Sequence, residues 1–177
     1  AILMVEMLYE ENTGFLSPSI KENNIKTFLA LAIEMEKSLR ASERLTGERT
    51  TAVSCRNART RSPSAIMAYL IVFHNYSYDS ARTFVSEKYN TNSSQQGGPT
   101  VDREERYKSI LDNLCSLCTP LKELDTEEKI KTLSYALSKA ISNSSKLGDE
   151  LGVYIRETLC KDGQEDAELA DSFAAGA

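Results

Sequence analysis

The chain has 177 residues, 41% of them hydrophobic and 27% charged, enough for one domain with a core and unlike the composition of a disordered segment. Its net charge of -5 excludes a general nucleic-acid binder, which needs a basic surface, and no apolar run approaches the ~20 residues of a membrane span. The charge is uneven. Arg40, Arg44, Arg49, Arg56 and Arg59 lie between Lys37 and Arg61, whereas Asp149 to Asp171 is mainly acidic, a distribution suited to holding a small anion at one place.

The opening AILMVEMLYEE lacks a basic n-region and a cleavage site, so no signal peptide is expected; within it, Ile2 to Leu8 reads as a buried strand. Asn12 to Asn24 reads as loop from its Ser, Asn, Gly and Pro content. From Asn24 to about Leu39, Ile25, Phe28, Leu29, Ala32, Ile33 and Met35 recur at helical spacing, and Gly47 ends or follows that helix. Thr50 to Ser54 is a short β-branched run, expected as a central strand. After the loop CRNARTR, Pro63 sits where a helix opens, and Ser77 is the expected N-cap of the next helix. Asn90 to Pro99 is a polar loop. Helical periodicity returns at Tyr107, Ile110, Leu111, Leu114 and Leu117, then at Ile130, Leu133, Leu137 and Ile141, with a last helix near Leu151 to Leu159. The expected organisation is a domain over 1–118, a helical extension over 119–160 packed on it, and an acidic disordered tail over 161–177.

Four cysteines, Cys55, Cys115, Cys118 and Cys160, show no disulfide framework, which points to a reducing, intracellular and cytoplasmic setting. Cys115 and Cys118 have the spacing of half a zinc site, but with no second pair and within an apolar helical pattern they read as core thiols. No metal or cofactor is expected. His74, the one histidine, sits at a helix end, where a capping or surface role suits it.

The chemistry concentrates at Cys55 to Arg61. A thiol with a pKa of about 8.5 is mostly protonated at neutral pH; a loop of inward-pointing amides ahead of a helix N-terminus lowers that value and also holds a phosphate dianion. An arginine six residues on can close the loop and grip two oxygens through its planar fork, and a hydroxyl beside it can stabilise the departing thiolate. Cys55, Arg61 and Ser62 supply these groups. The segment SCRNARTRSPSAIMAYLIVFHNYSYDSARTFVSEK resembles the signature of the dual-specificity phosphatases, within the cysteine-dependent tyrosine phosphatase superfamily. The likeness spans roughly Asn24 to Lys88.

The resemblance implies an α/β fold, a small central sheet flanked by helices, with an extra helical C-terminal third. It implies hydrolysis of phosphomonoesters through a phosphocysteine on Cys55, with Arg61 as clamp, Ser62 assisting hydrolysis, and Arg56, Asn57, Ala58, Arg59, Thr60 and Arg61 around the phosphate. The implied partner is a phosphorylated protein, with phosphate or sulfate as simple occupants of the loop. Three positions depart from the family: Ser54 replaces the His before the cysteine, Ala58 replaces a Gly, and no Asp precedes Asp79. Glu22 is the remaining candidate for the general acid. Only 54 residues precede Cys55, so the sheet is expected to be reduced or completed by sequence outside these residues. Without an acid, the alternative is a pseudophosphatase that binds phosphorylated partners without turnover; Arg56 and Arg59 raise a further one, a phosphoinositide phosphatase.

Overall fold

The computed structural model describes residues 17–55, 60–92 and 106–159. Every regular element among them is a helix: α1 (Pro18–Thr46), α2 (Arg61–His74), α3 (Tyr78–Asn92), α4 (Lys108–Cys118), a 3-10 turn (Thr119–Leu121), α5 (Thr126–Ser142), α6 (Leu147–Tyr154) and a π-turn (Ile155–Leu159). The expected α/β fold with a small central sheet is therefore overturned: among the described residues there is no strand. The stretch Ile2 to Leu8, residues 93–99 of the polar loop, and the tail after Leu159 lie outside the described residues.

Helix α1 begins well before Asn24, in a stretch that reads as loop. Ser17 caps it: the Ile20 N–H donates to Ser17 Oγ at 3.4 Å, and Pro18 takes the first helical turn, where a missing N–H is harmless. It ends on Gly47, whose φ of 78° lets its N–H reach back to the Glu43 carbonyl, the left-handed closure glycine adopts at least cost. The apolar stripe Ile25, Phe28, Leu29, Ala32 and Ile33 is buried.

Tertiary contacts divide the chain into two units, 1–118 and 119–177. In the first, α2 packs against α1, α3 and α4. A helix surrounded on several sides must be apolar nearly all round, and from Ser62 to Val72 every residue except Ile66 is buried. Phe28 of α1 meets the Tyr107 ring edge-on, centroids 5.2 Å apart. Ser77 caps α3 by accepting from the Ser80 N–H at 3.1 Å.

In the second unit α5 packs on α6. Asp125 caps α5 through the Glu128 N–H at 2.9 Å, and Glu127 and Glu128 place negative charge at the positive end of the helix. The buried stripe is Thr132, Leu133, Ala136, Leu137 and Ala140; Ile141, expected on it, is 61% exposed because each four-residue step from Leu133 advances about 40° around the helix and carries it past the edge of the stripe. The α5 C-terminus closes with Ser144 N–H on the Ile141 carbonyl and Ser145 N–H on the Ala140 carbonyl, a Schellman closure. Its left-handed residue is Ser144, φ 50°, not glycine. Ser144→Gly is expected to stabilise the protein by about 0.5–1 kcal/mol, because the Cβ strain removed exceeds the added chain entropy; urea unfolding of the two proteins measures it. Beyond the turn, Ser145 Oγ and Asn143 Nδ2 donate to Glu150 at 2.6 and 3.1 Å, and these bonds hold its carboxyl below the usual range.

Candidate oxyanion-binding site

The chain reaches the candidate loop by an unexpected route. Thr50 to Ser54 is not a strand but an irregular segment lying back along α1. A β-branched run becomes a strand only when a second strand satisfies its backbone, and here side-chain hydroxyls hold it. Thr51 Oγ1 lies 3.0 Å from Ser38 Oγ, Thr50 Oγ1 lies 3.0 Å from Ser42 Oγ, and Ser42 Oγ donates to the Glu48 carbonyl at 2.8 Å. Those serines stand one turn apart on α1, so the segment is laced along the end of the helix.

The strongest attachment is ionic. Glu36, 3% exposed, continues the apolar stripe of α1. Arg49 Nη2 donates to both of its oxygens at 3.1 and 3.0 Å. Arg40 Nε donates to Oε1 at 3.0 Å and Tyr69 Oη, from α2, to Oε2 at 2.9 Å. Arg49 Nη1 also meets Glu43 at 3.2 Å, and the Tyr69 hydroxyl faces His74 Nε2 at 3.1 Å. Burial pushes the Glu36 carboxyl up, but the hydrogen bonds from Arg40, Arg49 and Tyr69 and the Arg49 charge outweigh it, so the group lies below its ordinary value. The hydrogen bond to Glu36 raises the Arg49 guanidinium. Burial first, and then the neighbouring carboxylate, raise the Tyr69 phenol.

Cys55 ends the irregular segment and is half-buried. Arg56, Asn57, Ala58 and Arg59 lie outside the described residues. Thr60 is the N-cap of α2, its carbonyl accepting from the Ser64 N–H at 2.9 Å, yet its side chain makes no capping bond and the first turn carries no acidic residue. Arg61 is the first helical residue and is exposed. Ser62 and Ser64 are 5% and 0% exposed, and their Oγ atoms find no hydrogen-bond partner among the described residues. Pro63 falls within the four positions whose N–H groups a helix leaves unpaired. Thr60, Arg61 and Ser62 are thus brought together at one helix end. A strand-to-helix geometry around Cys55 is replaced by coil-to-helix. Glu22, expected on a loop, lies in the second turn of α1 and is half-buried, so its carboxyl rides on a rigid helix.

The sequence reading missed Glu36, Arg49 and Tyr69. One signal was present: residues 25, 29, 32 and 36 share a helical face, and a carboxylate on an apolar stripe needs a partner. His74 ends α2 and is exposed, turned toward Tyr69. Cys55, Cys115 and Cys118 are thiols; Cys118 is buried, and the half-buried Cys115 Sγ lies 3.7 Å from the Tyr76 carbonyl, to which it donates. Among the described residues no group of three His, Cys, Asp or Glu could hold a metal, and no helix is long and apolar enough to cross a membrane. No family model matches the sequence, and no curated protein or solved structure matches it.

Proposed function

We propose that the N-terminal end of α2 binds the phosphate of a phosphorylated partner protein, without turnover. The observation that carries this reading is the undefended helix end: no side-chain cap, no acidic first-turn residue, an exposed Arg61, and the hydroxyls of Ser62 and Ser64 buried without partners among the described residues. Helix N–H groups and the positive end of the dipole favour an anion there, and the Arg61 guanidinium adds a charge-assisted fork. Turnover is a separate demand. It needs the Cys55 thiolate to attack phosphorus, the ester oxygen to leave with a proton, and water to cleave the phosphocysteine. The missing Asp and the rigid placement of Glu22 favour binding over hydrolysis.

Calorimetric titration with orthophosphate and with a phosphoserine peptide tests the reading. Binding is expected, and Arg61→Ala is expected to weaken it roughly ten- to hundredfold, the worth of one charge-assisted hydrogen bond. No binding at millimolar phosphate by the folded protein overturns it. Release of phosphate from an aryl phosphate by wild type but not by Cys55→Ser would instead establish the hydrolytic reading.

A further inference from the structure

We infer that Glu36 is the positioning residue for the N-terminal end of α2: one buried carboxylate ties down both the segment that ends at Cys55 and the helix that Arg61 opens. The inference rests on the phosphate-binding reading for its function, though not for its geometry. On the entry side, Arg49 stands six residues before Cys55 and gives Glu36 two hydrogen bonds from one nitrogen. On the exit side, Tyr69 stands eight residues after Arg61, two turns along α2, and donates to Oε2 of the same carboxylate, an oxygen it shares with Arg49. The Cys55 end and the Arg61 end are therefore referenced to a single point on α1.

A carboxylate is suited to this work because its two oxygens accept from two directions, and because burial keeps water from competing for either. The hydroxyl pairs Ser38–Thr51 and Ser42–Thr50 align the segment but are exposed and neutral, so they are the weaker ties. Loss of the Arg49 tie would leave Thr50 and Thr51 held to α1 by these weaker bonds. Cys55, at the end of that segment, would then become more accessible.

The test uses the full chain carrying Arg49→Met, a change at a residue whose side chain is 40% exposed and which leaves the apolar core untouched. Iodoacetamide labelling is followed at each cysteine by mass spectrometry, with buried Cys118 as internal reference, alongside orthophosphate titration and far-UV circular dichroism. Retained helicity is expected, with Cys55 labelling about tenfold faster relative to Cys118 and orthophosphate binding weaker by a similar factor, the size of one charge-assisted hydrogen bond. Arg49→Lys is expected to recover part of both effects. Tyr69→Phe, which removes only a hydroxyl, probes the exit side should the methionine variant unfold, and is expected to weaken orthophosphate binding severalfold. Unchanged Cys55 labelling and unchanged orthophosphate affinity in the folded variants would overturn the inference. Faster Cys55 labelling in Arg49→Met, with no orthophosphate binding even by wild type, would sustain the anchor and remove the phosphate reading.

Discussion

Replacing Phe28 by alanine is expected to cost the first unit about 3–5 kcal/mol, the range for a fully buried aromatic cut back to a methyl. Phe28 is wholly buried and its ring meets Tyr107 edge-on. Its removal forfeits apolar burial, leaves a cavity between α1 and the side chains it packs against, and breaks an aromatic pair. Small domains have only about 5–15 kcal/mol of stability in total, so the variant should be near its unfolding threshold at physiological temperature. Thermal unfolding followed by circular dichroism checks this; a fall in Tm of only a few degrees would mean that α1 is not packed as described.

Glu36→Ala is expected to cost about 3 kcal/mol by a different route. Breaking a buried ion pair from one side is commonly worth ~3–5 kcal/mol, because the partner charges stay behind without compensation. Here Arg40 and Arg49 are 24% and 40% exposed at the side chain and regain some hydration, which places the value at the lower end. The buried Tyr69 hydroxyl also loses its carboxylate acceptor, keeping His74 Nε2 at 3.1 Å. The pH dependence follows from the depressed carboxyl. A group whose pKa is lower folded than unfolded contributes stability that is fully present above its ordinary value of 4.5 and is lost as pH falls from there through the folded value. Urea midpoints at pH 7 and at pH 3–4 should therefore differ more for wild type than for Glu36→Gln, whose amide does not titrate. An identical acid loss in both would show that Glu36 is not the group responsible.

Legibility in the sequence depended on whether a signal was local. Pro63 and the apolar run after it marked α2, Ser77 marked the start of α3 and Gly47 marked the end of α1, because caps and breakers act within one turn. The opposite error arose at Thr50 to Ser54. Its β-branched residues have a strand's propensity, but that preference is realised only against a neighbouring strand; Ser38 and Ser42, eight or more residues away, offered hydroxyls instead. The start of α1 was missed for a related reason: Ser and Pro read as loop formers until Ser17 is seen to cap and Pro18 to open a helix. Arg61 and Ser62 fall in the first turn of α2, a helix start that Pro63 marked locally. The Glu36–Tyr69 contact, spanning 33 positions, had no sequence signature beyond a carboxylate on an apolar face.

The Glu36 cluster also changes the long-range field of the molecule. Counted along the chain, the stretch from Lys37 to Arg61 is a basic block. In the fold, Arg40 and Arg49 face Glu36 and Glu43 at hydrogen-bonding distance, so two positive and two negative charges cancel within a few ångströms and contribute little beyond the ~8–10 Å over which salt screens surface charge. Any field drawing an anion toward α2, as the proposed function requires, then depends on fewer cations, with Arg61 at the helix end among them, set against an overall charge of -5. Long-range steering of an anion by such a molecule is slight, so the proposed phosphate binding would be governed by short-range capture at the helix end and by the ionic strength around it.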